Sequence, residues 1–252
     1  MKKLLASDLD GTLVNYGKVS EIDKQSILKL REQNHFFGVS TGRPYNGVSF
    51  LKEEYKIDLD FYVLLNGAFI LDRNLNVLKH DRIPFKVVNE IFERYKECKI
   101  LGIDEGYETT ILVGNSDYSW GNTYFRNIDE VRGHECSLIS IDFSNRGIDE
   151  ILRIYDEINR DFSDYVVAYR NFKYVDVVPK GCSKGLGVKT IADKLGVNLN
   201  DVYVIGDSFN DAAMFEITKN SFTFPRVEEN LKEKANFIVD SVSQCIEQYI
   251  LK

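Results

Sequence analysis

The sequence predicts an α/β protein: a parallel sheet covered on both faces, with a second, smaller α+β domain inserted into it. Two observations lead to this prediction. In the outer thirds of the 252-residue chain, short continuous apolar runs alternate with helix-like segments, which is the pattern of parallel strands buried between helices. The middle of the chain instead combines helix-like segments with aromatic-rich strand candidates and shows no such alternation.

The elements of the outer thirds are predicted from their apolar runs and their caps. A helix is expected over residues 21–33, because Ser20 stands where a side chain can cap its first turn. Another is expected over Lys184–Leu195, with Ser183 as its cap and Gly196 as the residue that ends it. The strand candidates, in chain order, are residues 3–9, 35–41, 60–66, 201–207, 222–224 and 237–239.

The inserted domain is predicted over residues 82–178, which leaves residues 1–81 and 179–252 for the core. Within the insertion, helices are expected over residues 87–96 and 148–159. A β-hairpin is also expected there, formed by residues 109–113, a turn at Gly114-Asn115 and a second strand within residues 118–125.

Composition excludes several classes of protein. Hydrophobic residues make up 44% and charged residues 28% of the chain, so it is neither disordered nor collagen-like. The net charge of −7 argues against a nucleic-acid partner, because nucleic-acid-binding domains are basic. No apolar stretch suits a signal peptide or a membrane span, so we expect a cytoplasmic protein with no membrane contact. The four scattered cysteines are expected to be reduced thiols. The oligomeric state, monomer or weak dimer, is left open.

Polar residues follow the predicted strands at their carboxyl ends, where open parallel sheets bind their ligands. The first strand leads into Asp8-Leu9-Asp10-Gly11-Thr12, and the fourth into Gly206-Asp207-Ser208-Phe209-Asn210-Asp211. The second ends in Ser40-Thr41-Gly42-Arg43, the third in Asn66-Gly67, and the later helix begins with Lys184. Each segment alone could be an ordinary turn or a solvated side chain. Together they favour one shared site.

The residue types at this site suit Mg²⁺ and a phosphate. Side chains alternate along a strand, so Asp8 and Asp10 are expected to face the same side and to repel each other. A divalent cation would relieve that repulsion, with Asp207 as a third oxygen ligand. The groups suited to phosphate oxygens are the ammonium of Lys184, the hydroxyl of Thr41, the N–H of Gly42 and, with weaker support, Arg43 and Asn66.

Such a set fits phosphoryl transfer. One carboxylate would attack phosphorus, and another would protonate the leaving alcohol and then deprotonate the attacking water. Spacing alone does not decide which of Asp8 and Asp10 has which role. Mg²⁺ and Lys184 would neutralise the charge on the equatorial oxygens of the transition state.

These residues resemble the haloacid dehalogenase superfamily of phosphohydrolases. Its four motifs match, in order, at Asp8-Leu9-Asp10-Gly11-Thr12, Thr41, Lys184 and the acidic loop from Asp207 to Asp211. The segments Ser40-Thr41-Gly42-Arg43, Asn66-Gly67-Ala68 and Gly181-Cys182-Ser183-Lys184-Gly185 look like the Cof-type sugar-phosphatase branch, which carries a cap between the second and third motifs. One departure is Phe222-Thr223-Phe224-Pro225-Arg226, where that branch commonly has a Gly-Asn-Ala step.

The resemblance implies a Rossmann-like core, a mobile C2-type cap and a phosphatase that works through an aspartyl phosphate. It implies Asp8 as the nucleophile and Asp10 as the general acid and base. Mg²⁺ would be bound by the side chains of Asp8 and Asp207 and by the carbonyl of Asp10, with Asp211 supporting Lys184 or the waters of the metal. The phosphate would meet the Leu9 backbone, Thr41, Gly42, Lys184 and Asn210.

The expected substrate is a small phosphorylated metabolite, such as a sugar phosphate, and three alternatives stay open. A phosphomutase would return the phosphate to its substrate. A receiver-type signalling module also carries an aspartyl phosphate, but it has no inserted domain. A metal-dependent glycosyltransferase could use Asp8 and Asp10, but it leaves Thr41 and Lys184 without a role. Aromatic residues that could line the cap side of the site, although such residues more often pack in a core, are Tyr107, Tyr118, Trp120 and Tyr124.

Overall fold

The computed structural model of the chain describes residues 2–96, 98–112, 123–125, 127–143 and 146–252. Its strands, in chain order, are β1 (Leu4–Ser7), β2 (Val14–Asn15), β3 (Lys18–Val19), β4 (Phe36–Ser40), β5 (Phe61–Leu64), β6 (Phe69–Asp72), β7 (Val77–His80), β8 (Lys99–Asp104), β9 (Thr109–Leu112), β10 (Thr123–Phe125), β11 (Leu138–Asp142), β12 (Val166–Asn171), β13 (Tyr174–Pro179), β14 (Val202–Ile205), β15 (Asn220–Thr223) and β16 (Phe237–Ile238). Its α-helices are α1 (Glu21–Glu32), α2 (Phe50–Glu53), α3 (Phe85–Tyr95), α4 (Ile148–Asp161), α5 (Lys184–Leu195), α6 (Ala212–Phe215), α7 (Glu229–Lys232) and α8 (Val242–Cys245).

The larger sheet has eight strands in the order β16-β15-β14-β1-β4-β5-β6-β7. The six strands from β16 to β5 run parallel. The prediction of a parallel α/β sheet is therefore confirmed. The sequence analysis did not predict β6 and β7, which extend one edge of this sheet in the antiparallel direction.

Alternation along β1 shows how this sheet is covered on both faces. Leu4 and Ala6 are fully buried in a hydrophobic cluster that includes residues of α5 and α6. Leu5, whose side chain points to the opposite face of the sheet, belongs to a second hydrophobic cluster with residues of α1 and α8. A strand buried on both faces reads as a continuous apolar run, which is why these strands could be predicted. We call this sheet with its helices the core.

A second sheet has six strands in the order β10-β9-β8-β11-β13-β12. Val175 and Val177 of β13 share a buried cluster with residues of α3 and α4. Val178 lies on the opposite face and belongs to the hydrophobic cluster of the core instead. One face of this sheet is therefore packed by helices, and the other faces the core. We call this sheet with α3 and α4 the cap. The predicted division at residues 82 and 178 stays a prediction.

The predicted hairpin in the cap is wrong. The strands β9 and β10 pair in parallel, with Thr123 opposite Thr110, so no tight turn can join them. The antiparallel neighbour of β9 is β8. The predicted turn at Gly114-Asn115 lies outside the described residues.

The predicted caps of the two long core helices are confirmed. Ser20 accepts a hydrogen bond from the N–H of Asp23 and begins α1. Ser183 accepts one from the N–H of Leu186 and begins α5, which ends at Gly196 in the left-handed conformation (φ 67°). The four cysteines all lie in the described residues, and none of them forms a disulfide. No helix among the described residues is both long and apolar enough to cross a membrane.

Candidate active site

A cavity of about 580 Å³ lies between the carboxyl ends of the parallel strands and the cap. This size suits a small-molecule ligand. The predicted site residues that line it are Asp8, Asp10, Thr41, Gly42, Arg43, Lys184 and Asn210. The cap contributes Leu138, Ser140, Asn171, Tyr174 and Asp176. Four separate core segments and the cap therefore meet at one place.

Lys184, the first residue of α5, joins two carboxylates inside this site. Its side chain is 2% exposed, and its Nζ donates to Asp8 Oδ1 at 2.7 Å and to Asp211 Oδ1 at 2.6 Å. Burial alone would lower the pKa of this ammonium, but the attraction of Asp211 and Asp8 outweighs burial and raises the pKa above its ordinary value. Lys184 therefore stays charged next to Asp8.

Asp211 holds the site from behind. Besides the bond from Lys184, its Oδ2 accepts the N–H groups of Asp207 and Ser208, each at 2.9 Å. Both oxygens of Asp211 are thus engaged, and its side chain is fully buried. This carboxylate can position Lys184 and the 207–208 turn, but it has little capacity left to bind a metal.

Three carboxylates, those of Asp8, Asp207 and Asp211, bring oxygens within 4.8 Å of one another, and no second such group occurs in the described part of the chain. Burial, followed by repulsion from Asp211, raises the pKa of Asp207 to about 7. The same two causes raise the pKa of Asp8 well above its ordinary value, although Lys184 opposes the shift. The cluster therefore has more negative charge than Lys184 neutralises.

The residues present fit Mg²⁺ in this cluster. Hard oxygen donors suit this ion. In the described side-chain hydrogen bonds, one oxygen of Asp8 accepts from Lys184 and one oxygen of Asp207 accepts from Thr12 at 3.1 Å, which leaves the second oxygen of each for a cation. Gly11 leaves room beside the second oxygen of Asp207, since a Cβ at residue 11 would stand 2.1 Å from Oδ2. Its φ of +80° also favours glycine.

Asp10 does not join this cluster. Its half-exposed carboxylate is bound by both ends of the Arg43 guanidinium, with Nε–Oδ2 at 2.8 Å and Nη2–Oδ1 at 2.6 Å. We expected Asp8 and Asp10 to face one side through strand alternation. β1, however, ends at Ser7, so that alternation does not extend to Asp10. Arg43 also donates to the Gly47 carbonyl (2.9 Å), which anchors the pair on the 43–47 turn.

Asn66, a predicted phosphate-binding residue, is not among the described residues that line the cavity. Asn66 is fully buried, with its amide donating to Asp176 (3.2 Å) and accepting from Asn210 (3.4 Å). The other side-chain atom of Asn210, Oδ1, is buried and has no partner among the described residues. The Leu9 side chain packs in the core, and the Leu9 carbonyl accepts the N–H groups of Thr12 and Val14. That the Leu9 backbone meets the phosphate stays a prediction.

The cap residues of the site, chiefly Asp176, Ser140 and Asn171, were not predicted from the sequence. Asp176 is the one charged residue in an otherwise apolar, buried strand segment, and this feature of the sequence could have identified it as a candidate site residue. Of the aromatic candidates, Tyr107 packs edge-on against Tyr45 and Phe69 and does not line the cavity. Candidates whose side chains fall outside the description are Tyr118, Trp120 and Tyr124.

Comparison with known families decides the identification. A family model described as haloacid dehalogenase-like hydrolase matches residues 5–246. The chain belongs to this family. The resemblance drawn from the four motifs is thereby confirmed, and this hydrolase is an enzyme.

Relatives of this hydrolase are similar along its full length. A Streptococcus pyogenes protein, provisionally named a phosphatase, is 25% identical over 99% of this chain and 98% of its own. The Bacillus subtilis protein YitU, named a 5-amino-6-(5-phospho-D-ribitylamino)uracil phosphatase, is 24% identical over 98% of this chain and 97% of its own. The solved structure of a haloacid dehalogenase-like hydrolase from B. subtilis has a TM-score of 0.87 at 19% identity and covers 98% of this chain and 100% of its own, so it shares the fold.

Proposed function

We propose that this hydrolase is a Mg²⁺-dependent phosphatase of small phosphorylated metabolites, such as sugar phosphates, acting through an aspartyl phosphate on Asp8. The contact between Lys184 and Asp8 beside the other two carboxylates carries the proposal. One carboxylate at a cavity wall is flanked by a permanent cation on one side and by a cluster suited to a divalent cation on the other. That is the environment that a carboxylate nucleophile and a phosphate dianion both require.

The proposed reaction uses two aspartates. An oxygen of Asp8 attacks phosphorus, and the bond between phosphorus and the leaving alkoxide oxygen breaks. Asp10, protonated after release from its ion pair with Arg43, donates that proton to the leaving oxygen, then takes one from the water that hydrolyses the aspartyl phosphate. Lys184 holds Asp8 and neutralises the phosphoryl oxygens, to which the Thr41 hydroxyl and the Gly42 N–H would also donate. Mg²⁺, held by Asp8 and Asp207 with the Asp10 carbonyl, would supply further positive charge there.

The leaving group would occupy the part of the cavity under the cap. The name of the YitU relative states that it acts on a substituted uracil whose phosphate is carried by a ribityl chain. Together with a cap wall made mostly of uncharged residues, this supports a sugar or polyol phosphate as the substrate. A cytoplasmic location and the absence of a nucleic-acid partner stay predictions.

The first test is release of phosphate from a panel of phosphorylated metabolites, with and without Mg²⁺, by the wild type and by Asp8→Asn. We expect Mg²⁺-dependent turnover that falls at least ~1,000-fold in Asp8→Asn, because the nucleophile is lost. Asp156→Asn, on the exposed side of α4, is the matched control and should keep the wild-type rate.

Three results would contradict the proposal. Folded protein that turns over no member of the panel with Mg²⁺ present would not be a broad phosphatase. A long-lived phosphoprotein without phosphate release would indicate the receiver-type alternative. Transfer of phosphate between two forms of one substrate, without release, would indicate a phosphomutase.

A further inference from the structure

Among the described cap residues that line the cavity, one has a charged side chain, and that side chain is a carboxylate. Asp176 lies in the middle of β13 and is 3% exposed. Because side chains alternate along a strand, it points away from the cap core that contains Val175 and Val177. The other cap residues that line the cavity are uncharged: Leu138, Ser140, Asn171 and Tyr174.

Only neutral groups hold Asp176. Ser140, opposite it on β11, donates to Oδ1 at 2.7 Å, and the amides of Asn171 and Asn66 donate to Oδ2, each at 3.2 Å. Asp8, Asp10 and Asp211 each contact a cation, whereas no ion pair within the described part of the chain includes Asp176. Burial raises the pKa of this carboxylate above its ordinary value, and the three hydrogen bonds and the nearby charge of Lys184 oppose the rise. When ionised, Asp176 has no cation in direct contact, so its charge also acts on whatever occupies the cavity.

Asp176 lies next to Gly42, one of the residues proposed to bind the phosphate. A Cβ on Gly42 would stand 3.3 Å from Asp176 Oδ2, so the cap carboxylate lies almost against the backbone of residue 42. Asn171, which donates to Asp176, also accepts a hydrogen bond from Ser208 of the core at 3.3 Å. A leaving group attached to a phosphate at Thr41 and Gly42 would meet this cluster first.

We propose that Asp176, with Ser140 and Asn171, forms a specificity subsite that accepts hydrogen bonds from hydroxyl groups of the leaving group and rejects a leaving group with a second negative charge. A hydroxyl can donate to a carboxylate, and such charge-assisted bonds are strong. A second anion would face Asp176 at short range, and no cation stands among the described residues of the cap wall, so the like charges would repel. The inference rests on the proposed phosphatase function, whose leaving group it characterises.

Two matched substrates test the subsite. Sorbitol 6-phosphate and 6-phosphogluconate share one linear carbon chain and differ at carbon 1, which carries a hydroxyl in the first and a carboxylate in the second. We expect the wild type to prefer the sorbitol ester at least about tenfold in kcat/KM. In Asp176→Asn this preference should fall roughly tenfold, mainly through a lower KM for 6-phosphogluconate. Asp156→Asn removes one exposed carboxylate of the cap and should keep the wild-type preference.

A third substrate separates this inference from the proposed function. 4-Nitrophenyl phosphate has no hydroxyl group on its leaving group, so its hydrolysis reports phosphatase chemistry alone. If 4-nitrophenyl phosphate is hydrolysed, three results would overturn the subsite and leave the phosphatase intact. These are an unchanged preference in Asp176→Asn, a wild-type preference for 6-phosphogluconate, and no hydrolysis of either sugar ester. If no ester is hydrolysed, the proposed function fails and the subsite fails with it.

A structural role for Asp176 would not alter charge discrimination, which makes the preference ratio the decisive readout. Should Asp176→Asn fail to fold, as judged by circular dichroism, Ser140→Ala and Asn171→Ala carry the test instead. Each should raise KM for the sorbitol ester several-fold relative to 4-nitrophenyl phosphate. An unchanged KM ratio in both variants would overturn the subsite.

Discussion

The site concentrates negative charge that the fold does not balance. Burial and Asp211 raise the pKa of Asp207 to about 7, from an ordinary value of 3.8. The folded protein therefore binds this proton more tightly than the unfolded chain does. Stability from that proton is fully present below pH ~4 and is lost as the pH rises through about 7. A bound divalent cation would replace the proton as the source of stability.

Asp207→Asn should therefore stabilise the metal-free protein at alkaline pH. The asparagine keeps an oxygen for Thr12 and removes the charge, so the gain in the free energy of unfolding should reach up to ~4 kcal/mol at pH 8 and vanish near pH 4. Denaturant unfolding in the presence of a chelator measures it. Added Mg²⁺ should stabilise the wild type and have little effect on the variant. A less stable Asp207→Asn at pH 8 would contradict this account.

At the scale of elements, α5 links stability to the site. Its cap, Ser183, immediately precedes Lys184, so the residue that begins the helix also directs the ammonium towards Asp8. The same kind of cap begins α1 at Ser20, and Ser20 does not line the cavity. The two helices therefore provide a matched pair.

Ser183→Ala and Ser20→Ala should each cost about 1 kcal/mol of unfolding free energy, because each leaves a backbone N–H of the first helical turn without its acceptor. Only Ser183→Ala should also lower the rate of phosphate release, since only this cap positions Lys184. Chemical denaturation and the phosphate assay on both variants check the two expectations. Equal rates in the two variants would show that the cap does not position the lysine.

For the whole molecule, the cap contacts the core on several sides of the cavity. Arg170 of β12 forms an ion pair with Glu228, and Tyr169 donates to the Cys182 carbonyl at 2.7 Å. On another side, the N–H of Tyr45 donates to the Gly106 carbonyl at 2.9 Å. These three contacts are polar, and Leu138 and Val178 add apolar packing against the core, whereas α3, α4 and the other face of the cap sheet share a hydrophobic cluster of their own. A hydrophobic cluster of its own is what a separately folding unit needs, so we predict that the cap folds independently.

A fragment of residues 82–181, which keeps all of β13, should fold by itself. We expect a cooperative thermal transition by circular dichroism, because the fragment contains the whole buried cluster of the cap. Ile154→Asp, at a buried position of α4, should abolish the transition. Leu152→Asp, at an exposed position of the same helix, should not. Absence of a transition in the unsubstituted fragment would argue against the predicted division at residues 82 and 178.

The sequence by itself determined the six parallel strands of the core, the two capped helices and the family, but not the antiparallel β6 and β7. These features depend on neighbouring residues: an apolar run marks a buried strand, and a serine before a helix marks its start. The residues after the strands could be assigned to one site because parallel strands end at one edge of a sheet. Asp8 and Lys184 were predicted to share that site, and they are in contact in the structure.

Only the tertiary structure decided the contacts between segments that no local pattern relates. The binding of Asp10 by Arg43, the parallel pairing of β9 with β10, and the meeting of Asp176 with Asn66 are of this kind. The last joins residues 110 positions apart, one in the core and one in the cap. Periodicity shows which face of a strand a residue occupies, but not what packs on that face. That depends on how the cap rests on the core, which is a property of the whole fold.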